Sequence, residues 1–274
     1  MKRPFVSVII PTYNRPGALA ELLEALTMQT YQHFEVIIIN DAGEPVDAIV
    51  QLYPELTIHL IDLPKNQLHV YARNQGIQHA AGAYIMFIDD DDLILCDHMK
   101  TMVKALDDSD LVYADAEIVN YREEDNRRVP LSRKVFAYTY DKQYMREFST
   151  FVPSGSMYRA EIHEEIGLLD ESLFNYWDWD FFLRVQEKFR VKRVAVASVL
   201  YDFSETGTNQ SKQLGKMRYY LDRLAEKHGL GHLPTKNFFL LLEEPAMKQR
   251  QATTERIWDG EMISSRYAKN IQGE

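Results

Sequence analysis

YIMFIDDDDLIL (Tyr84–Leu95) places four aspartates in a row between two apolar runs. The residues leading into them, AYIMFID (Ala83–Asp89), read as a buried strand. Charge runs usually lie in solvated loops or tails. This one closes a strand and puts four carboxylates at the rim of a core. Three similar runs precede it: FVSVII (Phe5–Ile10), FEVIIIND (Phe34–Asp41) and TIHLID (Thr57–Asp62). Helical segments separate them. Leu19, Leu22, Leu23 and Leu26 follow an expected Asn14 cap and Pro16. Val46–Leu52 and Val70–Ala80 supply the next two. Continuous apolar strands alternating with helices predict an α/β fold, a Rossmann-like and mostly parallel central sheet covered on both faces. In such sheets ligands bind beyond the carboxyl ends of the strands. Pro11-Thr12-Tyr13-Asn14, Asn40-Asp41 and Asp89–Asp92 all fall at strand ends, so they should converge on one crevice.

Composition narrows the function. The 274 residues carry a net charge of −10, with the acidic excess in the first 210. Phosphate backbones are bound by Lys and Arg, so nucleic acid is not the expected partner. A single cysteine, Cys96, rules out an intrachain disulfide and a cysteine zinc site, and is read as a packed or idle thiol. The histidines are scattered, and His98 is read as a surface residue. No run reaches the ~18 apolar residues of a membrane span. The expectation is a cytoplasmic protein, one that can dock peripherally at the inner face of the membrane.

The second half is less regular. Leu111–Asn120 alternates like a strand, Tyr121–Pro130 reads as a charged mobile loop, and GSMYR (Gly155–Arg159) as a short strand. Asp178–Phe189 has helical spacing, Val191–Phe203 holds another strand, and Leu214, Met217, Leu221 and Leu224 share one helix face. A basic tail with aromatic residues, Lys236–Lys269 with Phe238, Phe239 and Trp258, can pack on the body, a membrane or a second subunit.

Carboxylates gathered at a desolvated crevice mouth repel one another, and a cation relieves that repulsion. Hard oxygen donors suit Mg²⁺ or Mn²⁺, which complete their shells with substrate phosphates. A strand-end carboxylate, a metal and a phosphate-bearing ligand make one consistent picture.

SVIIPTYNRPGAL (Ser7–Leu19), VIIINDAG (Val36–Gly43), ARNQGIQHAAGAYIMFIDDDD (Ala72–Asp92) and IGLLDESLFNYWDWDFFLRV (Ile166–Val185) together resemble, in order, a family 2 inverting glycosyltransferase of the GT-A fold. The likeness covers residues 4–203. It implies a metal-dependent inverting transfer of a sugar from a nucleotide diphosphate donor, with a UDP-sugar favoured, to a hydroxyl of a glycan or lipid-linked acceptor in cell-surface polysaccharide synthesis. The family's DxD motif falls on Asp89-Asp90-Asp91. Asp91 would hold Mn²⁺ or Mg²⁺, Asp89 would lie by the metal or ribose, Asp90 is the middle position and Asp92 orients its neighbours. Pro11, Thr12, Tyr13, Asn14 and Asp41 would hold base and ribose, and Arg73 of the ARN pattern would neutralise the diphosphate. Residues 1–210 would form the GT-A domain, with a nucleotide-sugar half (1–110) and an acceptor half (111–210), followed by a C-terminal helical tail (211–274).

The resemblance also implies a catalytic base at the start of the later helix. The family's Glu-Asp pair appears as Trp177-Asp178, leaving Asp178 as the base. Asp180 lies about 200° further round a helix and should face elsewhere. Trp177 and Trp179 offer aromatic faces to an acceptor sugar, and Ser154 and Gly155 match a loop lying under donor sugar or acceptor. Two features depart from the family. Tyr201–Gly207 lacks the usual His, and Asn66-Gln67-Leu68 replaces an Asn-x-Gly loop. A sugar nucleotidyltransferase would need a glycine cluster where Pro11–Arg15 stands. A catalytically silent nucleotide-sugar binder would have no need of acids at 89, 91 and 178.

Overall fold

The computed structural model describes residues 5–124, 127–203, 214–235 and 242–272. Its centre is a pair of parallel strands, β1 (Val6–Thr12) and β2 (Phe34–Asn40), buried at every position. β3 (Ile58–Asp62) flanks β2, and β4 (Tyr84–Phe87) flanks β1, both parallel. Side chains alternate between two cores. Val6, Val8, Ile10, Val36 and Ile38 enter one, and Ile9, Ile37 and Ile39 the other. That is why these strands read as unbroken apolar runs. The first core receives Leu19, Leu22, Leu23 and Leu26 of α1 (Pro16–Thr27) and Ile49 of α2 (Asp47–Val50). The second receives Val70, Ala72 and Ile77 of α3 (Leu68–His79). Gly76 lets α3 approach the sheet, since a Cβ there would collide with the Ile9 side chain.

Beyond β4 the sheet becomes mixed. With β6 (Leu111–Glu124), β8 (Met157–Arg159), β9 (Val191–Asp202) and β10 (Glu255–Arg256), its order runs β10-β9-β6-β8-β4-β1-β2-β3. The short β5 (Leu93–Ile94) leads into α4 (His98–Ala105). β6 (Leu111–Glu124) turns into β7 (Arg127–Phe136) as a long antiparallel hairpin. The charged stretch from Tyr121 to Pro130 is therefore strand on both sides of residues 125–126 rather than a loop. β8 (Met157–Arg159) lies antiparallel to both β4 and β6, and precedes α5 (Ile162–Ile166). α6 (Trp177–Lys188) buries Phe181, Phe182 and Val185 in the second core, and β9 (Val191–Asp202) runs parallel to β6.

The C-terminal residues are built into the same cores. α7 (Leu214–His228) contributes Leu221 and Leu224 to the second. After α8 (Pro245–Gln249), β10 (Glu255–Arg256) joins β9, and α9 (Arg266–Gln272) packs against α1. Trp258 is buried beneath Arg133, whose guanidinium lies 4.4 Å from the ring centre. The described part of the tail thus packs on the body, while Phe238 and Phe239 lie outside the described residues. No helix among the described residues is long and apolar enough to cross a membrane.

Candidate active site

The carboxyl ends of β1, β2 and β4 open into a cleft of about 470 Å³, whose far wall is the start of α6. Backbone and side chains tie the three ends together. The Asp41 N–H donates to Thr12 O at 2.9 Å, and the Thr12 hydroxyl donates to Asp90 Oδ2 at 2.7 Å. Pro11, Thr12, Tyr13 and Asp41 all line the cleft. Tyr13 is 48% exposed, a ring face open to a ligand. The Asp41 carboxylate accepts the Gln67 N–H at 2.7 Å, and burial holds its pKa above the ordinary carboxylate value.

Asn14 is placed differently. It does not cap α1; the cap position is Arg15, without a side-chain hydrogen bond. Asn14 sits in the left-handed region at φ 55° and accepts the Glu44 N–H at 2.8 Å. It shapes the turn behind the cleft and is not among the lining residues.

The four aspartates separate by surroundings. Asp90 is buried, held by Thr12 and by Arg15 Nη1 at 3.0 Å. The same Arg15 nitrogen donates to Asp91 at 2.5 Å. Asp89 pairs with Arg73. Asp92 is buried, accepting the Ser154 hydroxyl and, at 2.9 Å, the Asp202 N–H. Even with these partners the run is electrostatically loaded. Burial and the neighbouring Asp90 push Asp91 up to about 7, and burial raises Asp90 and Asp92 as well. Carboxylate oxygens of Asp89, Asp91 and Asp92 lie within 4.8 Å of one another. Oxygen-only donors, like-charge crowding and two half-buried members, Asp89 and Asp91, fit a hard divalent cation.

Ser154 and Gly155 lie beneath the acidic turn rather than on the cleft surface. Ser154 holds Asp92 and accepts the Asp89 N–H at 3.1 Å. Gly155 adopts φ 75°, a conformation that favours glycine, and its carbonyl accepts the His98 Nε2 proton at 2.9 Å. His98 is thus neither surface nor ligand. It is fully buried, its Nδ1 faces the Ser198 hydroxyl at 2.8 Å, and burial pushes its pKa down to about 4. Cys96 is an exposed free thiol.

On the far wall, α6 begins at Trp177 with Tyr176 in the cap position, so Asp178 sits in the first turn. Asp178 faces the cleft, and burial pushes its pKa up to about 6 against the restraining N–H groups of the helix start and the more distant Arg73. Asp180 points away. It is fully buried among Arg184 at 2.9 Å, Lys227 at 2.7 Å and His228 at 2.8 Å. Burial opposes its ionisation, but those partners outweigh it and lower its pKa. Trp177 and Trp179 both line the cleft. Trp179 is tethered by its indole N–H to Met145 O at 2.6 Å.

Arg73 joins the two walls. Its guanidinium stacks 4.2 Å from the Trp177 ring centre while pairing with Asp89. It also donates to His69 Nδ1 at 2.8 Å, which makes His69 an acceptor there. Burial, with Arg73 alongside, holds the pKa of His69 well below its ordinary value. Three residues escape a motif-based reading: Arg15, Asp202 and Arg128. Arg15 was visible inside the PTYNR stretch, whereas nothing in the sequence around Arg128 marks it. Of the segment lacking the family's His, Tyr201 and Asp202 line the cleft, and Ser204–Gly207 lie outside the described residues.

Comparison with known proteins agrees with this geometry. Residues 7–167 match the model of glycosyl transferase family 2. The chain is 56% identical over 262 residues to the uncharacterized glycosyltransferase YwdF of Bacillus subtilis, covering 95% of this chain and 98% of that one. A Rickettsia typhi uncharacterized glycosyltransferase is 27% identical over 223 residues, 75% of this chain and 67% of its own. Among solved structures, TarS 1-349 of S. aureus in complex with UDP-GlcNAc superposes with a TM-score of 0.64 at 20% identity, over 81% of this chain and 66% of that fragment. A mannosyltransferase from Pyrobaculum calidifontis in complex with GDP-Man and Mn²⁺ gives 0.60 at 18%, over 85% and 67%. Both likenesses carry the GT-A architecture, and the family match spans the strand-end turns and the acidic run: the chain belongs to glycosyl transferase family 2.

Proposed function

We propose that the chain is a metal-dependent inverting transferase that moves a sugar from a nucleotide diphosphate donor, a UDP-sugar, to a hydroxyl of a glycan or lipid-linked acceptor in cell-surface polysaccharide synthesis. The observation that carries this reading is the placement of Asp178. A carboxylate with a pKa near 6 shares one cleft with the acidic run and with the strand-end turns. Residues 1–110 would bind the donor, 111–210 would frame the acceptor, and the described residues of the tail (211–274) brace both cores.

In this reading Asp178 takes the proton of the acceptor hydroxyl as its oxygen forms the bond to the anomeric carbon. The bond from that carbon to the diphosphate oxygen breaks, and the nucleoside diphosphate departs with the electron pair. A single displacement inverts the anomeric centre. A base that titrates near the working pH suits this task. Asp91 and Asp89 would hold Mn²⁺ or Mg²⁺, which when bound supplies positive charge for the leaving diphosphate. Arg73 and Arg15 lie beside those acids and add guanidinium charge on the same side. Tyr13 offers a stacking face, and the Asp41 carboxylate can accept the N3–H of uracil. The two structural neighbours were solved with different nucleotides, uridine in one and guanosine in the other, so the choice of base rests on these two residues.

Titration of UDP with and without Mn²⁺ separates the parts. Asp91→Asn should abolish the metal-dependent fraction of UDP binding. Asp178→Asn should bind UDP like the wild type and lose transfer. Transfer near the wild-type rate in Asp178→Asn overturns the base assignment. Tight donor binding without turnover for any acceptor would mark the wild-type chain as a silent nucleotide-sugar binder.

A further inference from the structure

Arg128 lies on β7, in the stretch whose charges suggest a solvated loop, yet its side chain is only 11% exposed. It crosses from the hairpin to the back of the acidic turn. Nε donates to Glu21 Oε2 on α1 at 2.6 Å. Nη1 donates to the main-chain oxygen of Asp91 at 2.6 Å and to Asp202 Oδ2 at the end of β9 at 3.1 Å. The Tyr121 ring supports the guanidinium from the hairpin side, 5.0 Å from its centre. Asp202 in turn donates its N–H to Asp92. One planar fork therefore links α1, the acidic turn and β9, segments that are far apart in sequence.

Burying a cation among carboxylates contributes little net stability compared with apolar packing of the same volume. Its consequence here is geometric. A guanidinium presents fixed, diverging donors, whereas an ammonium is a single point charge on a flexible stem. Contact with the peptide oxygen of Asp91 fixes the backbone that carries the Asp91 carboxylate, and contact with Asp202 fixes the strand end that holds Asp92.

We propose that Arg128 is a positioning residue for the donor side of the cleft: by clamping the Asp91 carbonyl to Asp202, it sets the acidic turn in the arrangement that receives a divalent cation and the donor diphosphate. This rests on the reading of Asp91 as a cation ligand, and the test keeps the two apart. Hydrogen exchange of the peptide covering residues 88–93 reports on the clamp without any metal. Mn²⁺ binding to the donor-free protein, followed by electron paramagnetic resonance, reports on the consequence. Arg128→Lys keeps the charge and loses the fork. It should speed exchange in the turn and weaken Mn²⁺ binding by about tenfold, as expected when support behind a metal ligand is removed. Glu21→Gln removes only the charge of the α1 anchor. It should lower the melting temperature and leave Mn²⁺ affinity close to wild type. If Arg128→Lys leaves exchange in the turn unchanged, or loosens the turn without weakening Mn²⁺ binding, the proposal is overturned. If the wild type itself binds no Mn²⁺, the metal reading fails instead. UDP affinity then decides: a loss in Arg128→Lys supports the clamp and no change overturns it.

Discussion

Two acidic regions face each other across the cleft, and they hold their charge in different ways. The turn at Asp89–Asp92 crowds carboxylates together, and burial and mutual repulsion raise the pKa values of Asp90, Asp91 and Asp92 even with Arg15 alongside. The start of α6 sets one carboxylate, Asp178, apart from the run, and burial, with a smaller contribution from Asp89, drives it up to about 6. Crowding is relieved by a bound metal cation, whereas a single buried acid is left to exchange a proton near neutrality. Asp180, two residues on, shows what compensation does. Three basic partners hold its pKa down, and it has no access to the cleft. Residue type is the same in all three places, and surroundings assign the work.

The largest expected effect falls on the isolated acid. Asp178→Asn should lower kcat by about 10³, within the range a general base contributes, and single-turnover transfer measures it. A loss confined to KM would place Asp178 in acceptor binding instead. The compensated acid should behave in the opposite way. Asp180→Asn leaves Arg184, Lys227 and His228 without their carboxylate, so unfolding free energy should fall by about 3 kcal/mol, read by urea denaturation. UDP affinity of the folded variant should stay at the wild-type level. If Asp180→Asn instead removes transfer while stability is kept, the division of roles within α6 is wrong.

The sequence made some of this contrast visible and hid the rest. Strands such as Phe5–Ile10 and Phe34–Asp41 were readable because a sheet covered on both faces needs unbroken apolar runs. The acidic run was readable because its position at a strand end conflicts with its charge. The 200° offset between Asp178 and Asp180 was readable from helix geometry. Arg128 was not, because a charged strand on a long hairpin and a solvated loop share one composition. His98 and Asn14 were misjudged for a related reason. Their polar atoms are satisfied by partners distant in sequence, Ser198 and Gly155 for one and Glu44 for the other. Local pattern reports period and polarity, but long-range hydrogen-bond partners are set by topology.

Proton linkage gives a milder test of the same contrast. With Asp178 as base, kcat/KM should climb about tenfold per pH unit below pH 6 and level off above it. A profile flat from pH 5 to 7 would remove Asp178 from the reacting set. Stability carries the opposite sign. The pKa of Asp178 is higher in the folded chain than in the unfolded one, so the folded state binds the proton more tightly there. Stability is lost as pH rises from about 4 through 6, and the full penalty is in place above that window. Asparagine carries no such penalty. Asp178→Asn should therefore be more stable than wild type at pH 8, by up to about 3 kcal/mol where the amide keeps the hydrogen bonds of the helix start, with a matching rise in Tm. The gain should fade through pH 4 and vanish near pH 3, where aspartic acid is close to neutral in both states. A functional acid held at a cost to the fold predicts that gain, and an acid retained as a helix-start stabiliser predicts a loss at pH 8.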